Sequence, residues 1–280
     1  MADISIAAIL RAGIFSPNHI ANDAAILHAV SAELRQRGCT VNIYSEEEFC
    51  KARIDEEVIL AMCRGDKTLE KIQKLEDEGR TVVNSGYGIE NCVRMIMVRL
   101  LADARVPQPD FIVADTDTDM RRKLAGAGFK ACWVKKGEAP IHHLEDISLC
   151  RHPEEAQEIL HEFFFRHISR AVVSKAVEGE KVRFYGIASS GWFHCFMPFG
   201  DAEAGEAIKE KIRTTAMQAA EALKVDIFGG DITLTPEGEC FIVNFDDWPS
   251  FAPIRKEAAR AIAKSVMARL RKQTSKRKRS

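Results

Sequence analysis

The sequence lacks a long hydrophobic run, an excess of charge of either sign and closely paired cysteines. No window approaches the ~20 apolar residues that a membrane-spanning helix needs. The 40 Lys and Arg residues nearly balance the 41 Asp and Glu residues, so the formal net charge of −1 gives no global argument for binding nucleic acid or membrane. None of the eight cysteines forms a C-x-x-C pair. We therefore expect reduced thiols in a cytoplasmic protein rather than disulfides or a zinc site.

The first 107 residues alternate between strand-like and helical patterns. The opening segment MADISIAAILRAGIF has no basic region or cleavage site, which favours a strand over a signal peptide. This alternation predicts β-α-β units, and hence a parallel sheet with right-handed crossovers. Pro107 and Pro109 then mark a domain boundary. We predict strands at 4–10, 39–44, 58–63 and 80–83, and helices at 22–37, 68–78 and 89–104.

The remainder predicts a mixed α+β arrangement without internal repeats. The basic tail at 273–280 is expected to be frayed and solvated, with a nucleic-acid contact as the weaker alternative. Helices are predicted at 120–125, 153–166, 203–223 and 253–272, and strands at 111–114, 129–134, 143–150, 171–176, 182–187, 192–197, 232–234 and 240–245.

The hairpin predicted at 225–251 carries three oxygen-bearing side chains. Asp231 lies near the start of its first strand, and Asn244 and Asp246 lie on the second, two residues apart. Alternate residues of a strand project to the same face. Three oxygen ligands on one face could hold Mg²⁺, which usually keeps waters and substrate phosphates as its other ligands. The alternative is a surface hairpin with solvated acids.

Two further segments have features of a nucleotide site. Lys135 ends a strand beside a glycine loop at 137–143, where it could reach a phosphate, and His142 and His143 lie in that loop. Ser174–Gly179 leaves a strand at a glycine, so its main-chain groups could bind adenine as a neighbouring strand would. Arg183 on the next strand could contact a phosphate. The alternatives are an exposed lysine pair and a plain strand end.

In this order and at these intervals, the segments resemble the ATP-grasp superfamily, in particular its D-alanine–D-alanine ligase-like and RimK-type members. The resemblance covers most of the chain, and the hairpin is its most specific part. It implies a Rossmann-like pre-ATP-grasp domain followed by a two-lobed ATP-grasp domain. The implied boundaries are 1–107 for the substrate-side domain, 108–178 for the small lobe, 179–272 for the large lobe with the metal-binding hairpin, and 273–280 for the flexible tail.

The resemblance also implies roles for individual residues. Asp231, Asn244 and Asp246 stand where the family has its metal-binding Asp, Glu and Asn, so the acid and the amide are exchanged. A second register would put Asn244 at the family Asn and Ile242 at the Glu position. Asp226 is the alternative first ligand, and Asp247 is a spare carboxylate. The remaining roles implied are phosphate binding for Lys135 and Arg183, adenine or ribose binding for Ser174, Lys175, Ala176, Val177 and Glu178, and catalysis for Lys135, Arg183 and Arg255.

The implied activity is ATP- and Mg²⁺- (or Mn²⁺-) dependent ligation of a small carboxylate to an amine or thiol through an acylphosphate. The rivals are a small-molecule kinase and a non-catalytic nucleotide-binding protein. The partners would be ATP and an unidentified small carboxylate and nucleophile, and the chain could form a homodimer. Candidate substrate contacts are Arg11, Ser16, Asn84, Ser85 and Ser250; structural ion pairs are the alternative for Arg11 and Arg255.

Overall fold

The structure of the protein, a computed structural model, describes residues 4–16, 19–138, 144–198 and 205–277. Three four-stranded sheets follow one another along the described chain. None of its described helices combines the length and the apolar character needed to cross a membrane. The predicted loop histidines His142 and His143 and the last three residues of the basic tail lie outside the described residues.

The first sheet is parallel, with strand order β2-β1-β3-β4. Helices cover both faces, which is why β1 and β3 are nearly continuous apolar runs rather than alternating ones. The predicted β-α-β arrangement is confirmed. Its elements are β1 (Ile4–Leu10), α1 (Ile20–Arg35), β2 (Cys39–Ser45), α2 (Glu46–Lys51), β3 (Val58–Ala61), α3 (Asp66–Asp77), β4 (Thr81–Val83), α4 (Gly86–Asn91) and α5 (Arg94–Asp103).

Two helices of this region differ from the sequence prediction. The short α2 was not predicted, although Ser45 and Glu48 form a capping box at its start. The helix predicted at 89–104 is broken in two, because Val93 is extended (φ −62°, ψ 126°). The break lets α5 begin in a new direction, and the backbone N–H of Met95 donates to the carbonyl of Gly137 at 3.0 Å.

The second sheet is antiparallel, with strand order β5-β8-β6-β7. Two helices cover one of its faces, where Leu160 and Phe163 are fully buried. Across the other face run two rows of paired residues, Phe111–Ser174–Trp133–Leu149 and Val113–Val172–Lys135–Ile147. The elements are β5 (Phe111–Asp115), α6 (Arg121–Gly126), β6 (Cys132–Lys136), β7 (Ile147–Cys150), α7 (Pro153–Phe165) and β8 (Arg170–Lys175).

The third sheet is also antiparallel, with strand order β10-β9-β11-β12. A long helix, α8, covers one face over a cluster of rings in which Phe228 and Phe245 stack at 5.2 Å. The elements are β9 (Glu180–Ile187), β10 (Trp192–Phe196), α8 (Glu206–Leu223), β11 (Ile227–Leu234), β12 (Cys240–Asp247) and α9 (Arg255–Arg277).

The last helix, α9, packs against α1 and contributes to the core of the first sheet. Ile262 and Ala263 of α9 are buried together with Ile26 and Val30 of α1. The predicted fold class, a parallel α/β sheet followed by two antiparallel sheets, is confirmed. The proposed boundaries at 107, 178 and 272 stay predictions; that division placed α9 with the third sheet, although the helix also covers the first.

We predict that Ile262→Ala will lower the free energy of unfolding by about 2–5 kcal/mol, because a fully buried isoleucine leaves a cavity. Urea denaturation measures the change. The control is Lys264→Ala on the exposed side of the same helix, which should change stability by no more than about 0.5 kcal/mol. Equal stabilities for the two variants would contradict the packing of α9 described above.

Candidate active site

One extra residue in β12 determines which side chains face the site. Asp231 pairs with Asn244, but the next residue, Ile232, pairs with Ile242, so Val243 is an additional residue in the ladder. Without it, Ile242 and Asn244 would project to the same face. With it, Ile242 and Phe245 both join the core beside α8, and Asn244 and Asp246 share the opposite face with Asp231.

The three predicted metal ligands are therefore neighbours. The Nδ2 of Asn244 donates to Oδ2 of Asp246 at 2.8 Å. Asp231 accepts from Nε of Arg183 at 3.0 Å and forms an ion pair with Nζ of Lys181 at 3.3 Å. Burial raises the pKa of Asp246 above its ordinary value, although the nearby guanidinium groups act in the opposite direction.

The chemistry of these three donors is compatible with a Mg²⁺ ion. Among the described residues, no three His, Cys, Asp or Glu side chains are grouped as a metal site, and the middle position of this set is an amide. Two carboxylates and an amide oxygen are hard donors, and Mg²⁺ in nucleotide sites is usually held by one or two carboxylates together with phosphates. Asp231, Asn244 and Asp246 could supply that set.

A cavity of about 400 Å³ lies between the second and third sheets, directly beside Asp231 and Asn244. Its apolar part is formed by side chains of β5, β6, β8 and α5, and its charged part lies against β12. Such a combination of an apolar enclosure with a few convergent polar groups is typical of small-molecule sites. The lining residues include Arg94, Met97, Val98, Gln108, Phe111, Trp133, Lys135, Val172, Ser174, Lys175, Val177, Lys181, Asp231, Ile242 and Asn244.

Lys135 projects into this cavity from β6. Its Nζ donates to the carbonyl of Val243, the extra residue of β12, at 3.2 Å. Burial lowers the pKa of Lys135 to about 7, and the positive charges of Arg94 and Lys181 add to the effect while Asp231 opposes it. An additional negative charge in the cavity would therefore favour the protonated lysine.

Arg94, the first residue of α5, was not predicted as a site residue. Its Nη2 donates to Oδ1 of Asn244 at 3.4 Å, so the break at Val93 places a cation beside the middle metal position. No local motif marks it, because its place depends on the packing of α5 against the second sheet. Two other omissions could have been avoided: Trp133 and Lys181 lie two residues before Lys135 and Arg183, and so on the same strand faces.

The predicted nucleotide contacts are only partly in the cavity. Ser174, Lys175 and Val177 line it, whereas Arg183 reaches the site through Asp231. The backbone N–H groups of Lys175 and Ala176 already donate to Asp110 and Ala131, because β8 is a central strand. Main-chain donors for a base would therefore have to come from Val177 onward. Glu178 is exposed beyond that point.

Predicted substrate contacts in the first sheet are engaged within the protein. Arg11 forms an ion pair with Asp23 at 3.1 Å, and Ser16 donates to the same carboxylate at 2.5 Å. The amide of Asn84 donates to the carbonyl of Ile227 at 2.7 Å and accepts from its N–H at 2.7 Å. Arg11 thus forms the structural ion pair that was its alternative, and Asn84 binds main-chain groups of β11, so the role of both with a substrate stays a prediction.

The other substrate-side residues are distributed around the ends of the sheets. Ser85 caps α4 and donates to Glu76 at 3.0 Å. Arg255 donates to Oδ1 of Asn22 at 2.8 Å, away from the residues that line the cavity. Ser250 is half-buried in the turn after β12. The structure therefore does not bring Ser85, Arg255 and Ser250 together into one site with Lys135.

A buried ionic cluster attaches the first sheet to the end of β12. The side chain of Asp247 is 0% exposed and pairs with Arg64 and, at 3.6 Å, with Arg11. Arg11 also donates to the carbonyl of Asp247 at 3.1 Å. Glu46 holds the loop after β3 in place by accepting from the N–H of Gly65 at 2.7 Å. Asp247, a spare carboxylate in the sequence, is thus a structural anchor.

Solved structures share this fold, a parallel α/β sheet followed by two antiparallel sheets that enclose a cavity, which is the arrangement that the resemblance to the ATP-grasp superfamily implied. No protein-family model matches the sequence, and no curated protein matches it by sequence. D-alanine–D-alanine ligase from Bacillus anthracis, complexed with ATP, has a TM-score of 0.73 at 14% identity over 98% of this chain and 100% of that chain. D-cycloserine synthetase gives 0.67 at 14% identity over 95% of this chain and 99% of the other.

A third solved structure with this fold is N5-carboxyaminoimidazole ribonucleotide synthetase from Thermotoga maritima. Its TM-score is 0.61 at 15% identity, over 87% of this chain and 68% of that chain. At such identities the likeness establishes the fold alone.

We predict that Asp247→Ala will destabilise the protein by about 3–5 kcal/mol at pH 7, because it leaves Arg64 without its buried partner and removes one of the two carboxylates that pair with Arg11. Chemical denaturation measures the loss. Asp55→Ala is the matched control, since Asp55 pairs with Arg53 at the surface, and its stability should barely change. If Asp247→Ala were as stable as the control, the cluster would not anchor β12.

Proposed function

We propose that this chain is an ATP- and Mg²⁺-dependent ligase that joins a small carboxylate to an amine or thiol. The observation that carries the proposal is the concentration of cations at one end of the cavity, next to two carboxylates. Lys135, Arg94 and Lys181 line that end, and Arg183 lies behind Asp231. Several cations in a partly buried site beside oxygen donors match the charge of a triphosphate with a bound metal ion.

The remainder of the cavity suits a nucleoside. Phe111 and Trp133 belong to one row of the second sheet, and Val172 lies in the next row beside Lys135. A base held against this apolar surface would place its phosphates toward Lys135 and β12. The Bacillus anthracis ligase of the same fold was crystallised with ATP, which supports a nucleotide as the occupant. The units 108–178 and 179–272 would then be the two lobes that enclose it.

The proposed reaction has two steps. A carboxylate oxygen attacks the γ-phosphorus of ATP, the bond to the β-phosphate oxygen breaks, and ADP leaves. The amine or thiol then attacks the carbonyl carbon of the acylphosphate, inorganic phosphate leaves, and the nucleophile loses a proton. Bound Mg²⁺, held by Asp231, Asn244 and Asp246, would neutralise phosphate charge.

The side chains of this protein would act chiefly by position and charge. Lys135, Arg94 and Lys181 would hold the phosphates and stabilise the negative charge that shifts to ADP. Arg183 now pairs with Asp231 and would exchange that partner for a phosphate when the carboxylate binds metal. The enclosed cavity would keep water from hydrolysing the acylphosphate. No general base is required beside the γ-phosphate when the attacking group is already a carboxylate.

Asn244 favours a second candidate, a nucleotide-binding protein that does not catalyse ligation. The exchange puts an uncharged amide at the middle metal position, although the set keeps two carboxylates, Asp231 and Asp246. In that case nucleotide would bind but neither ADP nor phosphate would be released with any carboxylate and nucleophile tested.

We predict that a non-hydrolysable ATP analogue with Mg²⁺ will raise the melting temperature of the wild type, and that Lys135→Ala and Asp231→Ala will abolish the shift. Binding stabilises the folded state by mass action, so about 100-fold saturation corresponds to roughly 2.7 kcal/mol. Lys136→Ala is the matched control, because the neighbouring lysine projects to the opposite face of β6. If the analogue left the melting temperature of the wild type unchanged, the proposal that this site binds a nucleotide would be wrong.

Measurements of turnover then distinguish a ligase from a kinase and from a non-catalytic nucleotide-binding protein. Wild-type protein incubated with ATP and panels of amino acids and short peptides should release ADP and inorganic phosphate in equal amounts, with an amide product seen by mass spectrometry. ADP with a phosphorylated alcohol would indicate a kinase. Analogue binding without any ADP release would indicate the non-catalytic alternative.

We predict that nucleotide affinity will fall as the pH rises from 7 to 9. The pKa of Lys135 is about 7 in the empty site, and only its protonated form attracts a triphosphate. Binding must therefore take up a proton above that pH, and the dissociation constant should rise by up to about tenfold per pH unit until the pKa of the bound lysine is reached.

Isothermal titration calorimetry in buffers of different ionisation enthalpy measures both the affinity and the proton uptake. Lys135→Arg should bind with little dependence on pH, because a guanidinium stays protonated throughout. A wild-type affinity that does not change with pH would show that Lys135 is not the titrating contact.

A further inference from the structure

Resting on the proposed nucleotide site, we infer that this site takes one divalent cation with the triphosphate, and that the guanidinium of Arg94 occupies the place of a second. The inference concerns Asn244, the middle residue of the three oxygen donors, and the cation that contacts it. It gives a physical account of the exchanged order Asp231–Asn244–Asp246.

Asn244 cannot supply what a shared ligand between two cations requires. Two-metal sites hold their ions about 3.5–4 Å apart, and a carboxylate can bridge them with its two oxygens and its negative charge. An amide has one oxygen and no net charge. In this structure that oxygen accepts from Nη2 of Arg94 at 3.4 Å, and the amide nitrogen donates to Asp246 at 2.8 Å.

Arg94 is held at this position by the backbone. It is the first residue of α5, directly after the extended Val93 that breaks the helix. The backbone N–H of the next residue, Met95, donates to the carbonyl of Gly137, which directly follows β6, at 3.0 Å. The guanidinium therefore belongs to a fixed helix start that faces both Lys135 and Asn244 across the cavity.

The charge balance of the described residues also favours a single cation. Around the three oxygen donors, the carboxylates of Asp231 and Asp246 lie near four cations, Arg94, Lys135, Lys181 and Arg183, while Arg64 is balanced by Asp247. Lys175 also lines the cavity, but it lies beyond Trp133 and is not counted with this group. The excess of two positive charges would meet about four negative charges on a bound triphosphate. One divalent cation neutralises the remainder, and a second would leave an uncompensated excess in a partly buried site.

The experiment counts bound cations with Mn²⁺. The protein is saturated with a non-hydrolysable ATP analogue, Mn²⁺ is titrated in, and free Mn²⁺ is followed by electron paramagnetic resonance. Analogue binding is measured separately by calorimetry, so that loss of the nucleotide is distinguishable from loss of the metal. We expect one Mn²⁺ per chain in the wild type.

Two variants whose new side chains have the same length test the role of Asn244. Asn244→Glu restores a carboxylate and should bind two Mn²⁺ ions per chain, whereas Asn244→Gln has the same length without the charge and should bind one. Arg94→Met should weaken analogue binding in the wild-type background by about tenfold or more. In the Asn244→Glu background, where a second cation is present, Arg94→Met should lower the affinity for the analogue by less than about threefold.

Each outcome decides the question. Two Mn²⁺ ions in the wild type, none with the analogue bound, or one ion in both Glu and Gln variants would overturn the inference. If Arg94→Met lowered the affinity for the analogue equally in both backgrounds, the inference that Arg94 takes the place of a second metal ion would be wrong. If the analogue does not bind the wild type at all, the proposed function fails and this inference fails with it.

Discussion

Adjacent residues of a β-strand must project to opposite faces, and this constraint at Asp246 and Asp247 links the three parts of the structure. Asp246 shares the face of Asn244, which lines the cavity, so Asp247 has to lie on the other side of β12. There it is completely buried, and a buried carboxylate is tolerated only with a charged partner. Arg11 and Arg64, both from loops of the first sheet, provide that partner. The site therefore depends on an anchor that has no chemical role of its own.

The same strand shows how a small irregularity creates a site. Val243 is an extra residue in the ladder between β11 and β12. It shifts the alternation of side chains along β12, so that Ile242 and Phe245 both face the core. Its carbonyl, no longer matched in the ladder register, accepts from Lys135 of the second sheet. The bulge thus places Asn244 toward the cavity and also provides an attachment point for the cation of the opposite sheet.

Much of this could be predicted from the sequence because the signals are local. The apolar runs of β1 and β3, the helix between them and the hairpin of β11 and β12 follow from periodicity and turn residues, and the order of Lys135, Ser174 and Asp231 indicated the fold. The remainder depends on contacts between distant segments. Nothing near Arg94 reveals that α5 restarts there, and the pairing of Arg11 with Asp23 and Asp247 is decided by how the sheets meet. The short α2 has a capping signal but too few turns for a periodic pattern.

The position of α9 has a consequence for how the protein comes to be made. The residues of the first sheet, 4–83, are translated first, yet one part of the core that covers it, Ile262 and its neighbours, is translated near the end of the chain. Domains generally fold as they emerge from the ribosome, and exposed apolar surface favours aggregation. Part of the apolar face of the first sheet would therefore stay uncovered until α9 has emerged from the ribosome. If translation stopped within the third sheet, the nascent chain would therefore lack a completely folded amino-terminal domain. Its uncovered apolar surface would be a binding site for chaperones.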